Sequence, residues 1–145
     1  MAKEENSVKV LAFEEISLGQ KAVLDVNVSA EALDAFAKLT GDVNPLHTSA
    51  EFAKSKGFPE RVSHGLLIGA FFSAIAGTML PGRDCLLQSA KFDFKQPVLA
   101  GTRLTLEARV IQKVDAVRAI VLEITARDPK GEVAVSGRLQ AGVLS

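Results

Sequence analysis

The sequence predicts an α+β domain in which an antiparallel β-sheet curls around one buried helix. Apolar residues recur at helical spacing in the first half of the chain, whereas from Cys85 onward they alternate with polar residues at a period of two. Between the two halves lies an uncharged apolar segment, GLLIGAFFSAIAGTML, from Gly65 to Leu80. Helices that precede consecutive strands joined by short turns favour this architecture over a parallel α/β sheet.

The composition favours one soluble domain that spans residues 1–145. With 48% hydrophobic residues, a chain of 145 residues buries a core without disulfides. Its 17 basic and 17 acidic residues give zero formal net charge, which argues against nucleic acid or an anionic membrane as a partner. Cys85 is the single cysteine, and the start, MAKEENSVKV, lacks an apolar leader segment, so we expect a cytoplasmic protein.

The first half begins with a strand and a capped helix. The residues KAVLDVNV, Lys21 to Val28, alternate well enough for the first strand. Ser29 is placed to cap a helix that runs to about Leu39, and Glu31 is favourable in its first turn. One face of this helix is apolar, formed by Leu33, Phe36 and Ala37. Gly41 is expected to end the helix.

The next segment is expected to be irregular and then helical. Asn44-Pro45 should keep the chain out of helical geometry until Leu46, because a residue before proline avoids the α region. A short amphipathic helix is predicted from about Ser49 to Lys56.

The apolar segment predicts a helix that other parts of the protein surround. Ser63 is a candidate N-cap, and Pro81-Gly82 ends the helix before it reaches the roughly 18 apolar residues that a membrane span needs. A buried core helix is therefore favoured over a membrane span. Small residues along it would allow close backbone approach: Gly65, Gly69, Ala70, Ala74, Ala76 and Gly77.

The second half of the chain predicts successive antiparallel strands. The turn Asp128-Pro129-Lys130-Gly131 separates the last two of them. The expected inward-facing positions are Phe92 and Phe94, then Leu104, Leu106, Ala108 and Val110, then Ile120, Leu122 and Ile124, and finally Val133, Val135 and Leu139.

The stretch TGDVNPLH, residues 40–47, brings a carboxylate and an imidazole together in sequence. Asp42 and His47 could divide acid and base roles, as the addition of water across a polarised double bond requires. Asn44 and Pro45 are suited to fixing the turn between them. Spacing alone favours an Asx-turn followed by a surface histidine. The acid–base hypothesis instead expects the two side chains to meet in a sheltered pocket that faces the start of the apolar helix.

His64-Gly65 stands where the apolar helix begins. Free N–H groups at a helix start, and the helix dipole, receive negative charge. Gly65 has no side chain to shield its N–H, so a thioester oxygen could be stabilised there as it becomes an enolate. Gly65 could instead serve packing alone, and His64 could cap, pack or catalyse.

Three motifs together resemble the MaoC-like family, the (R)-specific enoyl-CoA hydratases. FAKLTGDVNPLHTS, from Phe36 to Ser49, resembles the hydratase motif of the family. The resemblance continues through SHGLL and FFS, residues 63–67 and 71–73, and through Gln88, Phe92, Phe94, Pro97-Val98 and Gly101. It implies the hot dog fold, in which an antiparallel sheet wraps a long apolar central helix. It also implies a homodimer joined edge to edge.

The resemblance further implies reversible hydration of trans-2-enoyl-CoA to (R)-3-hydroxyacyl-CoA. Fatty acid metabolism is the expected context, although the sequence does not decide between it, polymer synthesis and another pathway. Asp42 and His47 would be the catalytic pair, and the N–H of Gly65 would bind the thioester oxygen. Asn44 would hold the loop and help to orient water, and Ser73 would have a supporting role. Many members carry aspartate where this chain has Ser49, a difference that should alter local capping and leave the chemistry intact.

No separate cofactor is expected, because CoA is part of the substrate. A metal is not expected either, since the only histidines are His47 and His64, and Cys85 falls in a predicted strand. The candidates for the acyl pocket are Leu67, Phe71 and Phe72. The candidates for binding the CoA phosphates, each otherwise a solvated surface charge, are Lys54, Lys56, Arg61 and Arg83.

Alternative functions on the same fold are a 3-hydroxyacyl-carrier-protein dehydratase, a thioesterase and a non-catalytic acyl-CoA-binding subunit. A thioesterase would typically carry its carboxylate on the long helix, which has no Asp or Glu here. A non-catalytic subunit would be expected to lose Asp42 or His47. The sequence does not distinguish CoA from carrier-protein substrates, nor does it indicate the acyl chain length.

Overall fold

The computed structural model describes residues 7–145. Residues 1–6 lie outside this part of the chain. They include most of the starting sequence MAKEENSVKV, on which the expectation of no leader segment rests. Five strands and four α-helices follow in the order β1 (Lys21–Val28), α1 (Ala30–Thr40), α2 (Pro45–Thr48), α3 (Ala50–Ser55), α4 (Gly65–Thr78), β2 (Cys85–Phe94), β3 (Thr102–Val114), β4 (Ala119–Arg127) and β5 (Val133–Val143). Short 3-10 turns cover Phe13–Glu15 and Asp115–Val117.

The strands form one antiparallel sheet in the order β1-β3-β4-β5-β2. Helix α4 contacts β1, β2 and β3. Its buried side chains share one hydrophobic core with the inward face of the sheet. The predicted α+β architecture is confirmed, and it agrees with the hot dog fold that the resemblance implies.

Local sequence signals position most elements as predicted. The Ser29 side chain accepts a hydrogen bond from the Ala32 N–H at the start of α1, and Gly41 ends that helix in the left-handed conformation, with φ of 81°. Strand β1 has the predicted bounds. The inward positions of β3 and β4 are buried as expected: Leu104, Leu106, Ala108, Val110, Ile120, Leu122 and Ile124.

Two predictions about helix starts are wrong. Pro45–Thr48 forms one turn of helix, because the Asn44 side chain accepts from the Leu46 N–H and Pro45 stands at a first-turn position that tolerates proline. Ser63 does not cap α4: the N-cap is His64, which makes no side-chain cap bond, and the Ser63 hydroxyl donates to the His64 carbonyl instead.

Helix α4 is not surrounded on every side within this chain. Leu66 is 63% exposed, and Ala70, Ser73 and Ala74 are exposed with it. Strand β2 is exposed along most of its length, and Phe94 is 50% exposed, contrary to the predicted inward position. The reason is that β2 lies at the end of the sheet, with no further strand of the described chain beside it.

The small residues of α4 serve side-chain packing at two positions. A Cβ added to Gly65 would lie 2.9 Å from the Phe94 ring, and one added to Gly69 would lie 2.9 Å from the Phe92 ring. A Cβ on Gly77 would meet nothing within 4 Å, so close approach does not explain that glycine. No helix within residues 7–145 is both long enough and apolar enough to cross a membrane.

At the end of the chain, a break in strand pairing moves an inward position. The pairing of β4 with β5 shifts register between Ala126 and Arg127. As a result Ala134 and Val135 are both buried, whereas Val133, predicted to face inward, is only partly buried.

Truncation of Leu122 should cause a large loss of stability, because this side chain is fully buried on the central strand β4. Leu122→Ala should lower the free energy of unfolding by about 2–5 kcal/mol, because it removes buried methyl groups and leaves a cavity. Leu39→Ala is the matched control, since Leu39 is 84% exposed. Urea denaturation of both variants checks this expectation, and equal midpoints would contradict it.

Candidate active site

The TGDVNPLH segment, residues 40–47, is ordered by hydrogen bonds within itself. The Asp42 N–H donates to Thr40 Oγ1 at 3.2 Å, and the Asn44 N–H donates to Asp42 Oδ1 at 3.4 Å. Asn44 Oδ1 accepts from the Leu46 N–H at 2.9 Å. The Thr40 contact is an ST-turn and the other two are Asx-turns, so the Asn44 side chain stabilises the turn that leads into α2.

A second segment, residues 61–64, binds the first one and is called here the anchor segment. The Val62 N–H donates to the Leu46 carbonyl at 3.1 Å, and His47 Nδ1 lies 2.6 Å from the Val62 carbonyl oxygen. Arg61 Nη1 donates to the His47 carbonyl at 3.3 Å. His64 Nε2 lies 3.0 Å from the Asp42 carbonyl oxygen.

The anchor segment is itself held by residues 98–100, just before β3. Val62 forms an isolated β-bridge with Leu99. The Ser63 N–H donates to the Val98 carbonyl at 2.7 Å, and the Ala100 N–H donates to the Arg61 carbonyl at 2.9 Å. Backbone pairing therefore connects the loop that carries Asp42 and His47 to the sheet.

The contact with Val62 determines which nitrogen of His47 carries a proton. A carbonyl oxygen only accepts hydrogen bonds, so the Nδ1 that faces it must be the donor. In the neutral ring, Nε2 then keeps its lone pair and is available as a base.

The structure brings Asp42 and His47 together and adds His64. One polar side-chain atom from each of the three residues lies within 4.8 Å of the others. The rings of His47 and His64 stack with centroids 3.8 Å apart. The predicted meeting of residues 42 and 47 is confirmed, whereas the expectation of a sheltered pocket is wrong within one chain, because Asp42 is exposed and His47 is partly buried.

The same three side chains could be considered as metal ligands. The planes of the two stacked imidazole rings are inclined by only 28°. Nitrogen lone pairs lie in the ring plane, so those of the two rings do not converge on one ion. One nitrogen of each ring is already bonded to a backbone carbonyl. The donor set therefore fits a zinc ion poorly, and the absence of a metal stays a prediction.

Gly65 is the first residue of α4, so its N–H has no acceptor within the helix. An apolar groove of about 400 Å³ opens beside it. The Phe94 ring also packs against Gly65, as the added-Cβ distance shows. The structure thus supports the packing interpretation of this glycine and leaves its N–H available for an oxygen atom. The groove is lined by Leu46, Phe58, Val62, Ser63, Gly65, Ile68, Phe94, Lys95, Gln96, Pro97, Val98 and Val135.

The other candidate residues lie along α4. Ser73 is on the exposed face, eight residues after Gly65, which is about 12 Å along a helix. Leu67 and Phe72 are buried in the core, and Phe71 packs against it. These three side chains do not line the groove beside Gly65, and their role in an acyl pocket stays a prediction.

Two of the four phosphate candidates have carboxylate partners. Arg61 contacts Asp34 at 2.7 Å with its side chain only 13% exposed, and Arg83 contacts Asp84 at 3.3 Å. Lys56 lies over the Phe52 ring, and Lys54 is exposed. Arg61 therefore serves the anchor segment, which the sequence alone did not indicate.

Cys85, the first residue of β2, is placed in a strand as predicted. Partial burial raises the pKa of its thiol. Fewer thiolate ions form near neutral pH, which argues against a cysteine nucleophile.

Comparison with known proteins identifies relatives of this chain. The MaoC like domain matches residues 13–129. An (R)-specific enoyl-CoA hydratase from Rhodospirillum rubrum is 33% identical over 86% of this chain and 86% of its own length. A 3-hydroxybutyryl-CoA dehydratase from Methylorubrum extorquens is 33% identical over 81% of this chain and 75% of its own length.

Solved structures agree with the sequence relatives. The R-hydratase PhaJ1 from Pseudomonas aeruginosa, in the unliganded form, superimposes with a TM-score of 0.89 at 30% identity, over 94% of this chain and 87% of the other. Together with the strand order and the apolar helix, this similarity confirms the fold. The chain belongs to the MaoC-like domain family and has the hot dog fold.

Proposed function

We propose that this protein is an (R)-specific enoyl-CoA hydratase. It adds water to trans-2-enoyl-CoA and forms (R)-3-hydroxyacyl-CoA reversibly, with CoA as part of the substrate and without a metal. The observation that carries the proposal is the hydrogen bond of His47 Nδ1 to the Val62 carbonyl, which leaves Nε2 free as a base beside Asp42. Relatives named as hydratases and a dehydratase support the same reaction.

In the proposed reaction, Asp42 and His47 orient a water molecule. His47 Nε2 accepts a proton from that water as its oxygen bonds to the β-carbon of the substrate. Electrons move onto the thioester oxygen, where the N–H of Gly65 and the start of α4 stabilise the developing enolate. The α-carbon then takes a proton from the Asp42–His47 pair, which returns the enzyme to its starting state.

We also propose that the protein works as a homodimer joined through β2. Exposed apolar side chains on this end strand support the choice, since Leu86 is 52% and Leu87 is 42% exposed. Strand β1, at the other end of the sheet, exposes mainly polar side chains, Lys21, Asp25 and Asn27, with Val23 as the one large apolar side chain among them. An exposed apolar end strand is a ready template for pairing with a second copy.

Asp42→Asn and His47→Ala test the proposed pair. Each should lower kcat for crotonyl-CoA hydration by about 10²–10⁴-fold, the usual contribution of a positioned acid or base. The assay follows the loss of ultraviolet absorbance of the conjugated enoyl thioester, and circular dichroism monitors the fold. Asp115→Asn, at an exposed aspartate on a distant turn, is the control and should keep wild-type turnover.

Full turnover by either Asp42→Asn or His47→Ala would contradict this mechanism. A parallel assay with crotonyl-carrier protein separates the proposed CoA enzyme from a carrier-protein dehydratase. Chiral analysis of the product decides its stereochemistry.

Gly65→Ala tests the group proposed to bind the thioester oxygen. The new Cβ would press on the Phe94 ring and shift the helix start, so kcat should fall by about 10-fold or more while KM changes little. Gly65→Ala combined with Phe94→Leu should recover part of kcat, because leucine relieves the contact. Steady-state kinetics measure both parameters, and a variant altered only in KM would count against this role.

Leu86→Lys tests the proposed interface. A charge on the exposed edge of β2 should convert the dimer into a monomer. Light scattering after size-exclusion chromatography should give twice the 15.4 kDa chain mass for the wild type and one chain mass for the variant. Leu39→Lys places the same charge on an exposed leucine of α1 and should leave the dimer intact. A wild-type monomer would disprove this interface.

A further inference from the structure

His64 is a buried imidazole at the site that the proposed reaction does not use. It is only 3% exposed. Within residues 7–145, Ser63 is the only other buried polar residue. It is also the N-cap of α4, yet its side chain makes no cap bond. The imidazole is directed away from its own helix and toward the TGDVNPLH segment.

The first contact of His64 holds the backbone of Asp42. The carbonyl of Asp42 accepts a hydrogen bond at 3.0 Å, so Nε2 of His64 carries the proton. The two residues are 22 positions apart in sequence. This bond therefore joins the start of α4 directly to the residue that carries the proposed carboxylate.

The second contact of His64 holds the ring of His47. The two rings stack at 3.8 Å, and the Phe36 ring lies 4.7 Å from His64 on a tilted plane. A ring packed face to face limits rotation of His47 about its side-chain bonds. His47 Nδ1 thus stays aligned with the Val62 carbonyl, and Nε2 keeps one direction.

The remaining nitrogen of His64, Nδ1, indicates why this position carries an imidazole and not a phenyl ring. Nδ1 is buried and has no hydrogen-bond partner among the described residues. A phenyl ring would stack equally well and would avoid burying an unpaired polar atom, which is unfavourable. The bond from Nε2–H to Asp42 is the contact that a phenyl ring could not make.

We propose that His64 is a positioning residue that aligns Asp42 and His47 with the N–H of Gly65, the residue that follows it. This inference rests on the hydratase function proposed above. His64 acts through the backbone of Asp42 and the ring plane of His47, and it does not contact the reacting atoms. Loss of this alignment should lower kcat and leave substrate binding nearly unchanged.

Two amides of different length test the inference. In His64→Gln the side-chain amide nitrogen can take the place of Nε2 and donate to the Asp42 carbonyl. In His64→Asn the amide nitrogen reaches only the place of Nδ1, so the bond is lost. His64→Asn should lower kcat roughly 10- to 100-fold with little change in KM, the scale expected for a small misalignment of catalytic groups. His64→Gln should recover most of that loss.

His64→Phe separates the ring from the hydrogen bond. It keeps a ring beside His47 and lacks the donor, so its kcat should fall as in His64→Asn. Wild-type kcat in His64→Phe, or equal kcat values for the Gln and Asn variants, would overturn the inference. An inactive wild-type protein would instead refute the proposed function, and the inference with it.

Nitrogen-15 NMR supplies a readout that does not depend on activity. The chain has only two histidines, so an imidazole spectrum contains two ring systems. We expect an Nδ1–H tautomer for His47 and an Nε2–H tautomer for His64, with assignment from the His64→Gln spectrum. If a variant fails to fold, the wild-type spectrum still decides without assignment, since a spectrum in which neither ring is an Nε2–H tautomer would overturn the inference.

Discussion

The site depends on the hydrogen bonds between the anchor segment and the TGDVNPLH segment. Four contacts cross between them, from Arg61, Val62, His47 and His64, and each ends on a backbone carbonyl. The anchor segment also pairs with residues 98–100, which lead into β3. An exposed loop thereby gains the rigidity of the sheet, which acid–base chemistry requires because the groups must hold their geometry.

The same contacts set the tautomer and the orientation of His47 in the proposed pair. The Val62 carbonyl selects the His47 tautomer, and the His64 ring limits the orientation of His47. Gly65 follows directly, so the proposed base and the proposed oxygen-binding group belong to one connected unit. Next to this unit, α4 and β2 expose apolar side chains that a second copy would cover in the proposed dimer.

Local signals explain why much of the fold was predictable. The capping of α1 by Ser29, its end at Gly41 and the alternation in β3 and β4 all depend on neighbours within a few residues. Predictions failed where two local signals competed or where distant contacts intervened. Asn44-Pro45 was expected to keep the chain out of helical geometry until Leu46, yet the helical turn already begins at Pro45. Ser63 was expected to cap α4, yet the N-cap is His64 and the Ser63 hydroxyl donates to the His64 carbonyl.

By itself, the sequence determined the fold class, the bounds of most elements and the family, because periodicity and motif spacing are encoded locally. It also indicated Asp42, His47 and Gly65 as the residues to consider. Only the tertiary structure decided that His47 donates to Val62 and that His64 binds Asp42, contacts between residues 15 and 22 positions apart. The physical reason is that a hydrogen bond to a distant carbonyl depends on backbone position, and a carbonyl oxygen carries no side-chain identity that a sequence pattern could show.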